Sequence, residues 1–259
     1  MNKILIIGAG LSTSSLVKYL LEQCALKNWS LTLADRDIKA AEEKIKTHEK
    51  GKAVCLDISN DLERRSLIDS HDLVVSMLPA FLHTIVAKDC VELSTHLVTA
   101  SYLSDEIKKM ADDAESKGII MMNEIGLDPG LDHMSAMKLI NELKDQNADI
   151  LSFMSFAGGL VAPEYDNNPW NYKFTWNPRN VVLAGQGVSK FIRNGQYKYI
   201  PYHQVFKRVD TFDILDQGLF EAYPNRDSLK YREIYDLEGI PTIYRGTLRR
   251  VGFSEAWNM

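Results

Sequence analysis

The chain has 259 residues, 45% hydrophobic and 25% charged, with 15 Gly and 8 Pro. That is enough apolar chain for one or two globular domains, and it excludes a disordered or collagen-like protein. The formal net charge of -5 leaves no basic footprint, so nucleic acid is not an expected partner, and an acidic ligand would need a local cluster of cations.

Cys24, Cys55 and Cys90 stand far apart in apolar runs with no CxxC pair. They read as core thiols of a reducing, cytoplasmic compartment. No signal segment precedes the first apolar run and no run is long enough to span a bilayer, so no membrane partner is expected.

Residues 3–7 form a short unbroken apolar run, as expected of a strand buried on both faces of a parallel sheet. Gly8-Ala9-Gly10 follows at once, then a helical pattern over about 12–27. Gly8 permits a tight turn and Gly10 lets a pyrophosphate approach the backbone. The helix start at Leu11 and Ser12 offers N–H groups and a positive dipole end. The third fingerprint position is Thr13, not Gly or Ala, so the motif is incomplete and a slightly wider helix-to-strand crossing is expected. The next apolar run, 30–35, ends in Asp35, about twenty residues past the loop, where a carboxylate binds ribose hydroxyls. The alternative is a turn residue at a strand end. A carboxylate there repels a 2′-phosphate and favours NAD, whereas Arg36 could accept one, which keeps NADP possible.

Strand patterns at 53–58, 72–78, 96–101 and 118–123 alternate with helical ones at 38–49, 62–69, 83–93 and 104–117. This α/β alternation predicts a Rossmann doubly wound parallel sheet over residues 1–123. Ligands lie beyond the carboxyl ends of such strands. Those ends are Asp57, then Ser76 to Leu78 and Pro79, then Thr99 to Ser101 and Tyr102, then 123–126. Leu78 and Pro79 are assigned to the cofactor. Asp57 is either an adenine contact or an ordinary loop carboxylate. Ser101 and Tyr102 either face the nicotinamide or cap the next helix.

Residues 124–259 read as an α+β substrate domain. Asp128-Pro129 looks like an N-cap followed by proline at the first helical position. The helix over 131–146 places Leu131, Met134, Met137, Ile140 and Leu143 on one stripe expected to face the core. A strand over 150–156 ends at Gly158-Gly159. In 170–176, Trp170, Tyr172, Phe174 and Trp176 alternate with polar residues, which in a strand puts four aromatics on one face. A strand over 242–250 puts Arg245, Thr247 and Arg249 on one face, suited to ligand carboxylates or else a solvated edge. Residues 223–228 form a turn opening a helix over 229–237, with Asp227 or Ser228 as cap; Arg226 has no such structural task. His83 and His133 sit at helix starts and read as structural. No metal-spaced cluster is present, so no metal is expected.

Seven segments in order carry a family resemblance: DLVVSMLP (72–79), VTASY (98–102), NEIGLDPGLDHM (123–134), AGGLVAPE (157–164), NP with YKFTW (168–176), YPNRDS (223–228) and RGTLR (245–249). The chain resembles saccharopine dehydrogenase of the glutamate-forming type, particularly the dehydrogenase half of the bifunctional lysine-degrading aminoadipate-semialdehyde synthase. The resemblance implies NAD(P)-dependent oxidation of saccharopine, with water, to glutamate and 2-aminoadipate 6-semialdehyde. It implies a substrate site lined by Ser101, Tyr102, Asp128, Gly158, Phe174, Arg226 and Arg245. The proton transfers of that reaction need a group of near-neutral pKa, for which Asp128, Tyr102 or an ordered water are the candidates. The acid at Asp35 agrees with NAD in the half it resembles most. A homodimer is implied too.

The chain departs from the family at Ala157, usually Cys, and Val161, usually Pro, and is expected to be C-terminally short. Two alternatives stay open: a carboxyspermidine-type dehydrogenase, or a truncated, non-catalytic dinucleotide-binding protein.

Overall fold

Runs with no polar face, such as Lys3–Ile7, fold only where both faces are covered. The computed structural model, which describes residues 2–175, 178, 181–182 and 187–258, provides such cover. Contacts divide the chain into two compact units, Met1–Leu131 and Asp132–Met259.

In the first unit β1 (Lys3–Ile7), β2 (Ser30–Asp35), β3 (Gly51–Cys55), β4 (Leu73–Ser76), β5 (His96–Thr99) and β6 (Met121–Met122) form one parallel sheet in the order β3-β2-β1-β4-β5-β6. The strand order reverses between β1 and β4, the switch point of a doubly wound fold. One face of β1 and β2 (Ile4, Ile6, Leu31, Leu33) packs on Val17, Leu21 and Cys24 of α1 (Ser14–Lys27) and Ala41 and Ile45 of α2 (Ile38–Ile45). The other face (Leu5, Ile7, Val74, Leu97) meets Ile68 of α3 (Asp61–Asp69) and Val86, Ala87 and Cys90 of α4 (His83–Leu93).

The expected helix over 104–117 is two pieces, α5 (Asp105–Lys108) and α6 (Ala111–Ser116). Between them the Met110 N–H turns to the Ile107 carbonyl, a three-residue closure that interrupts the α-helical ladder. α2 stops four residues short of the expected end, where Lys46 takes φ 54°. Cys24 and Cys90 are buried, and burial pushes the Cys90 thiol up to about 12. Cys55 corrects the reading of three core thiols: it lies on the edge strand β3 and is exposed.

In the second unit α7 (Leu131–Asp145) is followed by β7 (Ser152–Ala157), β8 (Ser189–Arg193), β9 (Gln196–Ile200), β10 (Asp210–Asp213), β11 (Leu219–Pro224) and β12 (Thr242–Arg250). The sheet runs β10-β11-β12-β8-β9, and β7 pairs parallel with β12. β12 is therefore interior, bonded to β11, β7 and β8, which overturns the solvated-edge alternative for its arginines. The buried stripe of α7 also differs from expectation. Ala136 and Ile140 are buried with Met137 beside them, whereas Leu131 and Met134 are exposed.

The aromatic segment 170–176 is not a strand through its described residues. Asn168 accepts the Trp170 N–H on its side chain and the Asn171 N–H on its carbonyl, and Asn171 takes φ 49°. That turn defeats an extended run. The rings gather instead on the helix Phe253–Trp257: Tyr172 packs on Phe253, and Trp170 and Phe174 on Trp257. Trp176 lies outside the described residues.

A buried ion cluster that the sequence did not signal ties α3 to α4. Arg64 Nε and Arg65 Nη1 donate to the two Asp89 oxygens at 2.6 and 2.7 Å. Removing the carboxylate leaves the buried Arg64 Nε unsatisfied while Nη1 keeps Asp61 at 2.8 Å and the Ile58 carbonyl, so Asp89→Ala is expected to cost about 2–4 kcal/mol. Urea unfolding of the two proteins measures it.

Candidate functional site

At the end of β1 the two glycines do different work. Gly8 takes φ +111°, and a Cβ there would lie 2.8 Å from the Met77 carbonyl oxygen, so glycine is required by the fold itself. Gly10 has φ −64° and ψ 178° and no atom within 4 Å of a Cβ position. Among the described residues nothing demands glycine at that place. Open space over an extended glycine, just before the 3-10 turn Leu11–Thr13 that leads into α1, fits a pyrophosphate approaching the backbone. Leu11 and Ser12 are exposed there. Thr13 is fully buried, and its hydroxyl donates to the Gly10 carbonyl at 2.7 Å.

Asp35 is already tied to this loop. Its Oδ2 accepts the Ala9 N–H at 2.6 Å and its Oδ1 the Asp37 N–H at 2.8 Å. A carboxylate offers about four acceptor sites, so ribose hydroxyls can still bind. Arg36 beside it is exposed. Asp57 closes a turn on Ser59, accepting both its N–H and its hydroxyl, and these bonds hold the Asp57 carboxyl below the usual range. Leu78 and Pro79 follow β4, which lies next to β1, so they flank the switch point opposite the glycine loop.

The carboxyl ends of β5 and β6 bring together three more expected residues. Tyr102 donates its hydroxyl to Asp128 Oδ1 at 2.8 Å. Ser101 Oγ lies 2.7 Å from Nε2 of the buried His83, whose Nδ1 lies 2.8 Å from Ser76 Oγ. Burial holds the His83 pKa below the ordinary histidine value. Glu124, which the sequence reading passed over, clamps the same segment: its N–H donates to the Ser101 carbonyl and its carboxylate accepts the Leu103 N–H. Tyr102 is thus pinned on both sides.

Asp128 is not a helix cap, contrary to the sequence reading. α7 starts at Leu131, and the Asp128-Pro129 bond, which is cis, sits in a closed loop. The Gly126 N–H donates to the Pro129 carbonyl at 2.8 Å and the Leu131 N–H to the Gly126 carbonyl at 3.0 Å. Asp128 is exposed at the tip.

In the second unit the β12 arginines are buried, at 4% exposure for Arg245 and 8% for Arg249. Arg245 Nη2 donates to Asp132 at 2.6 Å, and its guanidinium lies 4.1 Å over the Tyr231 ring. Arg249 Nη1 donates to the Gly159 carbonyl at 2.9 Å, with its guanidinium over Tyr172 and Phe253. A Cβ on Gly158 would meet the Leu248 oxygen at 2.0 Å, so glycine there has a backbone reason of its own. Phe174 is partly exposed and Arg226 exposed. Asp227 caps the turn after Arg226, accepting the Leu229 N–H. Among the described residues there is no group of three His, Cys, Asp or Glu side chains able to hold a metal, and no helix long and apolar enough to cross a membrane.

Two family models match the chain: "Saccharopine dehydrogenase NADP binding domain" over residues 4–122 and "Saccharopine dehydrogenase C-terminal domain" over 126–259. Saccharopine dehydrogenase [NADP(+), L-glutamate-forming] of Schizosaccharomyces pombe is 37% identical over 98% of this chain and 56% of its own length. Alpha-aminoadipic semialdehyde synthase of Arabidopsis thaliana is 42% identical over 84% of this chain and 21% of its own length. Among solved structures, apo saccharopine dehydrogenase (L-Glu forming) of Saccharomyces cerevisiae has a TM-score of 0.90 at 33% identity, covering 98% of this chain and 56% of that one. The chain therefore spans about half the length of the fungal relatives it matches, and less of the synthase.

The two glycines predict opposite phenotypes. Gly10→Ala should leave unfolding within about 0.5 kcal/mol and weaken NADPH binding about tenfold or more. Gly8→Ala should cost about 1–3 kcal/mol of stability. Thermal unfolding and calorimetric titration with NADPH check both.

Proposed function

Because the chain belongs to the saccharopine dehydrogenase family, we propose that it binds a nicotinamide dinucleotide and oxidises saccharopine, with water, to L-glutamate and 2-aminoadipate 6-semialdehyde. The observation that carries this reading is the 2.8 Å hydrogen bond from Tyr102 to Asp128 at the carboxyl ends of a dinucleotide-type sheet. A phenol and a carboxylate joined where ligands of such sheets lie can hold and move protons.

Gly8, Gly10, Leu11 and Ser12 would hold the pyrophosphate and Asp35 the ribose, with Leu78 and Pro79 across the switch point and Asp57 toward the adenine. When bound, the nicotinamide supplies the hydride acceptor. Loss of a hydride from the carbon beside the neutral bridging nitrogen of saccharopine gives a protonated imine. In our reading Asp128 takes the proton from water as its oxygen bonds to the imine carbon. Tyr102 orients that carboxylate. The same proton then passes to the bridging nitrogen as the carbon–nitrogen bond breaks, and the remaining hydroxyl proton returns to Asp128 as the carbonyl forms, releasing glutamate and the aldehyde. Arg226 binds a substrate carboxylate. Arg245, its charge already met by Asp132, shapes the wall with Gly158 and Phe174.

For the cofactor we favour NADP over the NAD expected from Asp35 alone. The Asp35 carboxylate is occupied by two backbone N–H groups, which offsets its negative field, and the exposed Arg36 is placed after β2 where a 2′-phosphate is accepted. The family description and the fungal relatives' names support the same choice. Free thiols at Cys24, Cys55 and Cys90 support a reducing compartment such as the cytoplasm.

The decisive assay pairs calorimetric NADP binding with NADPH production from saccharopine; binding without production would leave a non-catalytic dinucleotide-binding protein. Within an active enzyme, Asp128→Asn should lower kcat about a hundredfold or more, whereas Arg226→Ala should raise KM for saccharopine about tenfold with little change in kcat. Arg36→Ala should weaken NADP about tenfold and leave NAD unchanged. Equal losses for both dinucleotides would contradict the assignment of Arg36.

A further inference from the structure

Beneath Ser101 lies a line of buried polar groups that the reaction as described does not use. Ser76 ends β4 and Thr99 ends β5, and they are register partners. His83 opens α4, the crossover between those strands, and is 3% exposed. Its Nδ1 meets Ser76 Oγ at 2.8 Å and its Nε2 meets Ser101 Oγ at 2.7 Å, with Thr99 Oγ1 at 3.5 Å. No charged group contributes to the His83 shift, which comes from burial alone and keeps the ring neutral at neutral pH. A neutral imidazole donates from one nitrogen and accepts at the other.

The direction of the line follows from Ser76. That residue is 1% exposed, and among the described residues its side chain bonds only to His83. If it accepted from Nδ1, its own hydrogen would be buried with no acceptor. An orphaned buried donor is costlier and rarer than an unused lone pair. Ser76 therefore donates to Nδ1, the ring hydrogen sits on Nε2, and Nε2–H donates to Ser101 Oγ. The Thr99 hydroxyl oxygen takes the Ser101 backbone N–H at 3.3 Å. Ser101 is half-buried at the strand end, and its own hydroxyl hydrogen is left to point outward.

We propose that His83 is a positioning residue: the chain Ser76 to His83 to Ser101 commits the Ser101 hydroxyl to donate to an acceptor oxygen on the ligand, a carboxylate or an amide carbonyl. Hydrogen bonds in series polarise one another, so the outermost donor is strengthened by the two behind it. The inference rests on the reading that Ser101 lines the ligand site. The acceptor belongs either to a carboxylate of saccharopine or to the carboxamide of the nicotinamide, and the two titrations below separate these.

The first measurement needs no ligand. Nitrogen NMR of the histidine rings in the 259-residue chain should show His83, identified by its loss in His83→Gln, as a neutral ring with hydrogen on Nε2. A ring protonated on Nδ1 overturns the proposal, and this result stands alone if the variants below fail to fold. The second is a calorimetric cycle with NADPH, and with saccharopine added to the NADPH-loaded chain, for Ser101→Ala, His83→Leu and the double variant. Each single change should weaken the same ligand about tenfold, and the double variant should lose no more than Ser101→Ala alone. Additive losses, or full affinity in His83→Leu, overturn it. If Ser101→Ala leaves both ligands unaffected while the Nε2 hydrogen is in place, the site reading of Ser101 fails and the proposed role goes with it.

Discussion

The candidate site in the first unit depends on two backbones lying closer than any side chain allows. A Cβ on Gly130 would sit 2.0 Å from the Gly126 carbonyl oxygen, and Gly130 takes φ +149°. Only glycine closes that loop. Its closure sends Asp128 outward at the tip, buries Pro129 beneath it and delivers the chain to α7 at Leu131. The partner segment is fixed just as firmly. Glu124 grips the backbone on both sides of Tyr102 with its N–H and its carboxylate, and His83 holds the neighbouring Ser101 hydroxyl. The two loops then meet in the hydrogen bond from Tyr102 to Asp128. That is preorganisation of the kind catalysis uses, since little ordering is left for the moment of reaction.

The arginines carry a second lesson about burial. A guanidinium taken out of water needs compensation. Arg64 finds it in Asp89 and Arg245 in Asp132, both at 2.6 Å. Arg249 is compensated differently, by a carbonyl and two aromatic faces. Burial beside such partners makes Arg245 and Arg249 parts of a wall first. In our reading Arg226, exposed where those two are buried, is the arginine that reorganises around an arriving carboxylate.

The doubly wound sheet was legible because its signals are local: apolar runs of strand length, glycine after the first, acids and hydroxyls at the ends. What the sequence could not tell lies at long separation or in close backbone approach. Asp132 and Arg245 are 113 residues apart along the chain, so the face of β12 was readable and its partner was not. Asp128-Pro129 mimics a helix start residue by residue. The overriding fact, the contact of Gly126 with Gly130, was hinted at only by two glycines four positions apart. The period-two pattern of 170–176 was real, but Asn168 and Asn171 turned the backbone, and the rings of Trp170, Tyr172 and Phe174 met their partners on Phe253 and Trp257 instead. His83 reads from the sequence only as a residue at a helix start. Its link between Ser76 and Ser101 needed the strand order.

The central claim is that Tyr102 and Asp128 line the reacting centre. It is tested most directly by a crystal structure of the chain with NADPH and saccharopine. The account predicts the bridging nitrogen of saccharopine, or a water beside it, within hydrogen-bond distance of the Asp128 carboxylate, with Tyr102 still bonded to that carboxylate. Saccharopine bound with its bridging nitrogen remote from both residues would contradict it.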